Sequence, residues 1–359
     1  MASAVPCEKE HLDALSLLTI APANAAGAVA HIAGLDAQQR SDFLELADSN
    51  HVVVRSLLSL QELARDKNGL DHWINANLAN EYARIQNALE HLDRVLRELE
   101  AAGCPTVVMK SLDHWPDFGN DLDLYTTAEG NKVRDIFVQR LNARIEPRSW
   151  GDRLAHKWNF ALPGLRESVE VHAKRLGQTG EHITMARRFV ERRVEMRVRQ
   201  YTFYAPAPEE RIVVATLQRM YRHFYFRVCD ILNSAALVES GAIDFAELRR
   251  SADLGGIWPG VATYLKIVSD YINQYRGRPV ALPKEVLAAA RFGGEKLTVQ
   301  RRFLRIPLMP EGAGFYTTQV ASAARRGDVP ATFRLSLLPP LAATAAVAFK
   351  ITGSDKGIW

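Results

Sequence analysis

The sequence has few or none of the features that mark several well-known classes of protein. It contains three cysteines, Cys7, Cys104 and Cys229, which lie far apart and lack the paired spacing of a zinc site. An odd, scattered set of this kind is typical of reduced thiols, so we expect a cytoplasmic protein. There is no glycine-rich phosphate loop of the Walker type and no nucleophile elbow around a serine. These absences argue against P-loop nucleotide hydrolases, α/β-hydrolases and zinc-finger proteins.

Long apolar runs and a strong charge of either sign are also missing. The first ten residues lack the charged and apolar regions of a signal peptide. The most apolar window, residues 335–349, contains Pro339 and Pro340 and is too short to span a bilayer, so we expect a terminal helix and no membrane span. The net charge of the 359 residues is only +4. This argues against nucleic acid as the partner and is compatible with a phosphorylated substrate.

The composition is that of an ordinary globular protein, with 47% hydrophobic and 24% charged residues. The length exceeds a single ordinary core, so more than one region is expected. We divide the chain into an N-terminal helical region (1–100), a core of short strands (101–205), a C-terminal helical domain (206–295) and a C-terminal extension without an assigned role (296–359). The expected fold class is α+β, a small mixed β-sheet core flanked by N-terminal and C-terminal helical regions.

One stretch carries most of the chemistry. A helix over residues 80–102 is expected to end at Gly103, and a short buried strand then leads to Lys110 and Ser111. A second strand begins with the alternation Asp-Leu-Asp-Leu, which places the carboxylates of Asp121 and Asp123 on one face. Two adjacent carboxylates repel each other unless a cation lies between them, and oxygen ligands suit Mg²⁺. The alternative is a surface strand with two solvated aspartates.

A later strand carries a second polar pair. In Ser-Val-Glu-Val-His, alternation places Glu170 and His172 on one face. His172 either contacts substrate, orients the carboxylate or is a structural residue. Lys174 follows the strand, where it either meets phosphate groups or is simply an exposed cation.

A helix is expected to begin at Pro208 and to continue past Asp230, with Val238 as its far limit. Along it, Arg219, His223, Arg227 and Asp230 recur at intervals of four, four and three residues. This polar stripe either faces a ligand cleft or contains an Arg227–Asp230 pair exposed to water.

In order and rough spacing, these segments resemble the polymerase-β-like nucleotidyltransferase superfamily over about residues 30–275. Within it, the chain is similar to a large group of mostly uncharacterised bacterial nucleotidyltransferases. The segments that carry the resemblance are Lys-Ser at 110–111, Asp-Leu-Asp at 121–123, Glu-Val-His at 170–172, Pro-Glu-Glu at 208–210 and Phe-Arg-Val-Cys-Asp at 226–230.

The resemblance implies a set of roles. Ser111 would hold the β,γ-phosphates of a nucleoside triphosphate, with ATP as the first candidate. Asp121 and Asp123 would be catalytic ligands of Mg²⁺ or Mn²⁺, and Glu170 would be the third catalytic and metal-binding carboxylate. Lys110 stands where the family has glycine, so we expect it to pair with phosphate oxygens as a point charge.

The resulting expectation is an enzyme, a nucleotidyltransferase that moves NMP from an NTP to a hydroxyl or phosphate acceptor on a small molecule, peptide or protein. Arg227, His172 and Lys174 would help to bind the nucleotide. One alternative is an inactive nucleotide-binding or scaffold protein that retains the fold, favoured by the missing glycine. Another is an enzyme acting on tRNA ends. The six arginines within residues 187–199 are then either an RNA-facing patch or a solvated face.

Overall fold

The fold is α+β, with a five-stranded mixed sheet between an N-terminal and a C-terminal helical region. The computed structural model describes residues 6–64, 70–342 and 344. Of the apolar window at 335–349, Leu335 is buried at the end of a helix, whereas residues 343 and 345–349 lie outside the described range. The side chain of Cys7 also lies outside it, and Cys104 and Cys229 are buried free thiols.

In the described part of the chain, five α-helices precede the sheet. They are α1 (Pro6–Ile20), α2 (Ala26–Ala33), α3 (Ala37–Ser49), α4 (Val53–Leu63) and α5 (Leu70–Ala101). The helix predicted over residues 80–102 is the second half of α5, which spans 32 residues. It ends just before Gly103, whose φ of 67° is a conformation that glycine adopts without strain.

The mixed sheet has the spatial order β1-β2-β5-β4-β3. Its strands are β1 (Thr106–Val108), β2 (Asp121–Thr126), β3 (Arg144–Ile145), β4 (Lys157–Ala161) and β5 (Ser168–Ala173). β2 and β5 are parallel, and the other neighbours are antiparallel. Two helices, α6 (Gly130–Arg140) and α7 (Trp150–Leu154), lie between β2 and β5 in the chain.

The two faces of the sheet differ in polarity, as the alternation predicts. Leu122, Leu124, Val169 and Val171 are fully buried on one face. The helix α6 covers that face, where its Phe137 ring stacks on Phe160 with ring centroids 4.0 Å apart. The other face carries the acidic and histidine side chains, because these residues occupy the alternate positions of β2 and β5.

A helix and a hairpin follow the sheet: α8 (Thr184–Glu191), β6 (Val194–Val198) and β7 (Tyr201–Ala205). Several arginines of this stretch pair with carboxylates elsewhere in the fold. Arg192 contacts Glu209 at 3.0 Å, and Arg188 contacts Glu210 at 3.1 Å. Because these arginines form ion pairs within the protein, they are less available to a nucleic acid than the sequence alone suggests.

The remaining elements form the C-terminal part. Its helices are α9 (Pro208–Thr216), α10 (Val228–Glu239), α11 (Phe245–Gly255), α12 (Trp258–Arg276), α13 (Lys284–Ala289), α14 (Ala313–Arg325) and α15 (Val329–Ser336). Three short strands, β8 (Tyr225–Phe226), β9 (Thr298–Gln300) and β10 (Phe303–Arg305), form a second small sheet.

The prediction of one continuous helix from Pro208 past Asp230 is wrong. The helix α9 ends at Thr216, a π-helical turn covers residues 217–223, and Phe224 reverses the chain in a left-handed conformation with φ of 55°. The strand β8 then pairs with β10, and the Phe224 carbonyl accepts a hydrogen bond from Ile306 N at 3.1 Å. The helix is therefore interrupted by tertiary structure, because the interruption allows β8 to pair with β10, which lies far along the chain.

One cluster of buried apolar side chains runs through all four regions that the sequence suggested. It includes Leu15 from α1, Leu124 from the sheet, Val261 from α12 and Phe315 from α14. Polar contacts also join distant helices, for example between the hydroxyls of Ser16 and Tyr271, 2.8 Å apart. Among the described residues, we find no helix that combines the length and apolarity needed to cross a membrane.

Candidate active site

A cleft of about 640 Å³ opens at the polar face of the sheet. One wall carries acidic side chains from β2 and β5, and the facing wall carries basic and imidazole side chains from the segment between α9 and α10. The residues concerned are Asp121, Asp123 and Glu170 on the first wall, and Arg219, Arg222, His223 and Arg227 on the second. Acidic and basic side chains therefore adjoin in one cavity.

The parallel register of β2 and β5 brings the acidic residues together. Asp123 pairs with Glu170, and Tyr125 pairs with His172, so the side chains of all four project from the same face. Asp123, Glu170 and His172 each offer a ligand atom, and the three atoms lie within 4.8 Å of one another. Asp121 lines the cleft but is not part of this closest group.

Two atoms of this cluster have no protein partner among the described residues. They are Oδ1 of Asp123 and Nδ1 of His172, both buried. Leaving such atoms unsatisfied is unfavourable, and a bound cation would satisfy both. Two carboxylates and one imidazole suit a divalent cation, and the imidazole favours Mn²⁺ more than an all-oxygen set would. The donor set therefore fits a divalent metal.

The electrostatics of the cluster reflect its burial. Burial raises the pKa of Asp123 to about 7, an effect that Lys110 opposes and the neighbouring Asp121 and Glu170 increase. Burial also acts on Glu170, but Lys157, Lys110 and Arg222 outweigh it and lower the pKa of that carboxyl. Burial and the same three cations hold the pKa of His172 well below its usual value, so its imidazole is neutral and has a lone pair to offer.

A buried lysine, Lys157, forms an ion pair with Glu170. The Nζ atom of Lys157 lies 3.1 Å from Oε2 of Glu170 and 3.0 Å from Oδ1 of Asp152. The Lys157 residue is only 5% exposed, so these contacts are shielded from water. They fix one oxygen of Glu170 and leave the other available to the cleft.

The turn after β1 has an unusual backbone. Lys110 adopts φ of 53° and ψ of −50°, and Ser111 N donates to the Met109 carbonyl across it, which makes a γ-turn centred on Lys110. This is a strained conformation for a residue with a side chain. The turn points Nζ of Lys110 at Oδ2 of Asp123, 2.7 Å away.

Ser111 uses its hydroxyl to hold β2. The oxygen accepts a hydrogen bond from Asp123 N at 3.0 Å, and the hydroxyl donates to the Asp121 carbonyl at 3.3 Å. Ser111 lines the cleft but is 1% exposed. Its single hydroxyl proton is engaged, so a contact with phosphate through that proton requires exchange of the bond to Asp121.

The basic wall contains cations without an acidic partner. Arg219 is paired with Asp230 at 2.7 Å, and Lys110 with Asp123. Within the described chain, no ion pair involves Arg222 or Arg227. The π-helical turn presents Arg219 and Arg222 to the cleft, and π-turns of this kind occur often at functional sites.

Three histidines surround the arginines. Burial, followed by the nearby arginines, holds the pKa values of His51, His114 and His223 well below the usual range. The imidazoles are therefore neutral at pH 7, and Nε2 of His51 accepts a hydrogen bond from Nη1 of Arg227. The positive charge of this wall resides on the arginines, which makes the wall suited to an anion.

Most of the residues singled out from the sequence line the cleft. They are Asp121, Asp123, Glu170, Lys110, Ser111 and Arg227. His172 completes the ligand cluster, although it lines a neighbouring cavity. Lys174 is not brought to the cleft, because its Nζ pairs with the carboxylate of Glu129. Of the two alternatives for the polar stripe, the structure does not show the water-facing side-chain pair of Arg227 and Asp230, since Asp230 pairs with Arg219 and accepts from Arg227 N at 2.7 Å.

The sequence did not indicate several other residues at or near the cleft. They are His51, His114, Asp152, Lys157 and Arg222. Lys157 lies on β4 directly opposite His172, a pairing that the sequence alone does not display. His51 and His114 carry no local pattern, because distant segments bring them to the cleft. No protein-family model matches the chain, and no curated protein matches it either.

Proposed function

We propose that this protein is a metal-dependent nucleotidyltransferase that moves NMP from an NTP, with ATP as the first candidate, to a hydroxyl or phosphate acceptor. The observation that carries the proposal is the convergence of Asp123, Glu170 and His172 within 4.8 Å beside Arg222 and Arg227, which form no ion pair with any residue that the structure describes. Phosphoryl-group transfer depends mainly on positioning and charge neutralisation, and this combination of groups provides both.

Each wall of the cleft has a role in this proposal. Asp123, Glu170 and His172 would hold a divalent ion, with Asp121 beside them. When bound, the ion neutralises phosphate charge and acidifies an acceptor hydroxyl. Arg222 and Arg227 bind phosphate oxygens as charge-assisted hydrogen-bond donors. The lowered pKa of Glu170 keeps it ionised at neutral pH, so it can accept a proton.

The transfer step can be written with all atoms balanced. The acceptor oxygen attacks the α-phosphorus of the NTP and forms a new P–O bond. The bond from the α-phosphorus to the oxygen that bridges to the β-phosphate breaks in line, and pyrophosphate leaves with that oxygen. The hydroxyl proton passes to Glu170 and from there to solvent. The products are the nucleotidylated acceptor and pyrophosphate.

The test is release of pyrophosphate from labelled ATP with Mg²⁺ or Mn²⁺ and candidate acceptors. We expect release by the wild-type protein and its loss in the double variant Asp121→Ala/Asp123→Ala. A matched control is Asp135→Ala, which removes an exposed carboxylate on α6 and should leave release unchanged. Equal release by the wild-type protein and the double variant with every acceptor would overturn the proposal.

A second candidate is a protein that binds nucleotide without turning it over. One observation favours it, namely that the ammonium of Lys110 already lies 2.7 Å from Asp123 and supplies a positive charge where the family has glycine. Calorimetric titration with Mg·ATP separates the candidates. Tight binding without pyrophosphate release supports the second candidate, and binding with release supports the transferase.

A further inference from the structure

A second cavity, of about 570 Å³, adjoins the cleft. Lys110, Gln218 and Arg222 line both cavities and form the partition between them. Asp123 and Glu170 face the cleft, whereas His172 faces the second cavity. The cluster of possible metal ligands therefore lies in the wall between the two cavities and is in reach of both.

The lining of this second cavity is mainly apolar. Its aliphatic contributors are Met109, Leu176, Val214, Leu217 and Leu338. The cavity is too small for a folded partner or a duplex. An occupant must therefore be small and must have an apolar body.

Polar groups in the cavity fall into two sets. Two side chains are already engaged, since Gln178 donates to the Tyr221 carbonyl at 2.6 Å and Oε2 of Glu181 accepts from Thr179 N at 3.0 Å. At the partition, the side chains of Gln218 and Arg222 form no hydrogen bond with any described residue. The partition, which lies next to the ligand cluster, therefore offers hydrogen-bonding groups to an occupant.

We propose that this cavity is the acceptor pocket, and that it binds a small uncharged alcohol with its apolar body in the cavity and its hydroxyl at the partition. The inference rests on the proposed function and adds the class of acceptor to it. Arg219 and Arg227 line the cleft but not the second cavity, so the triphosphate occupies the cleft and the acceptor approaches the cluster from the second cavity. In-line displacement requires the attacking and leaving oxygens to lie on opposite sides of the phosphorus, and two adjoining cavities give them separate approaches.

The pocket also gives the C-terminal extension a role. Two of its residues, Gln319 on α14 and Leu338 after α15, complete the wall of the cavity. Gln319 is 2% exposed, and its Nε2 lies 2.9 Å from Nε2 of His182, which fixes its position. Residues after 296 therefore shape the pocket without contributing to the ligand cluster.

The inference is tested by binding of simple alcohols, measured by saturation-transfer NMR without nucleotide. The probes are 2-phenylethanol, cyclohexylmethanol and 1-hexanol. We expect binding to the wild-type protein and about tenfold weaker binding to Leu338→Trp, because the larger ring fills the cavity. The matched control is Leu341→Trp, which lies one turn further along the same segment, does not line the cavity and should bind the probes like the wild-type protein.

The outcomes separate this inference from the proposed function. Probe binding that is lost in Leu338→Trp and kept in Asp121→Asn/Asp123→Asn supports the pocket even where no pyrophosphate is released. Failure of all three probes to bind the wild-type protein would overturn the pocket, as would equal binding by Leu338→Trp. Displacement of 2-phenylethanol by adenosine would also overturn it, since the cavity would then accommodate the nucleobase.

Discussion

Lys110 has a strained backbone conformation, and its side chain lines the cleft. Its positive φ places a side chain where the resembling family has glycine, and the ammonium reaches Asp123. A residue other than glycine in such a conformation is destabilised by about 1–2 kcal/mol. The strain persists because the same turn aligns Ser111 with β2, so the turn serves both the fold and the charge balance of the cleft.

A pair of substitutions separates these two contributions of Lys110. Lys110→Gly and Lys110→Ala both remove the ammonium, but only glycine relieves the backbone. We expect Lys110→Gly to be more stable than Lys110→Ala by about 1 kcal/mol in urea unfolding. Equal unfolding free energies for the two variants would contradict the strain that we assign to this turn.

Sequence periodicity predicted which face of its strand each acidic residue occupies. It could not predict how close the acidic residues of one strand lie to those of another. Alternation placed Asp121 with Asp123 and Glu170 with His172. Only the parallel register of β2 and β5 sets Asp123 beside Glu170. The ligand cluster therefore includes His172, whose role the sequence left open, and the closest group does not include Asp121. Pairing between strands far apart in the chain is decided by tertiary packing, which a single sequence does not display.

At the scale of elements, the break between α9 and α10 is the largest departure from expectation. No glycine or proline lies between Leu217 and Arg227, so the sequence carries no local signal for it. The π-helical turn and the left-handed Phe224 arise where β8 joins β10. This rearrangement turns Arg222 into the cleft and allows Arg219 to reach Asp230.

The turn has a measurable consequence for ligand binding. We expect Arg222→Gln to weaken Mg·ATP binding about tenfold, equivalent to about 1.4 kcal/mol, because a charged donor to phosphate is lost. The unfolding free energy should change little, since Arg222 forms no ion pair in the described parts of the chain. Calorimetric titration gives the affinity, and urea unfolding gives the stability.

Arg249→Gln serves as the control for this experiment. Arg249 lies on α11, with its side chain 54% exposed, and pairs with Asp253 away from the cleft. It should bind Mg·ATP like the wild-type protein. An unchanged affinity in Arg222→Gln would argue against the arginine wall as the phosphate site.

At the scale of the whole molecule, buried polar contacts join the N-terminal helices to the rest of the fold. Oδ1 of Asn50 accepts from Val228 N at 3.0 Å, and its Nδ2 donates to the Arg302 carbonyl at 3.1 Å. Asp117, in the segment before β2, accepts from Val54 N at 2.6 Å. The order of helices, sheet and helices was predicted from the sequence, whereas these connections, which position His51 at the cleft, were not.

The contact at Asp117 predicts a pH dependence of stability. Burial raises the pKa of Asp117 to about 7, although Arg55 and the backbone donors oppose it. The folded state therefore holds the proton more tightly than the unfolded state, whose carboxyl titrates near pH 4. The contribution of Asp117 to the unfolding free energy is most favourable at low pH and is lost as the pH rises to about 7.

Asp117→Asn isolates this contribution, because the amide does not titrate. Between pH 5 and pH 8 we expect the wild-type protein to lose about 2–3 kcal/mol of unfolding free energy relative to Asp117→Asn. Urea unfolding at several pH values measures the difference, and the other titrating groups cancel in the comparison. Parallel pH profiles for the two proteins would rule out the raised pKa.

The residues that line the second cavity come from separate parts of the chain. Met109 and His172 come from the sheet region, whereas Gln319 and Leu338 come from the last part of the chain. Mutations in that last part can reshape the cavity while Asp123, Glu170 and His172 stay in place. Under the proposed function, related chains can therefore differ in the acceptor that they bind and still share the same acidic cluster.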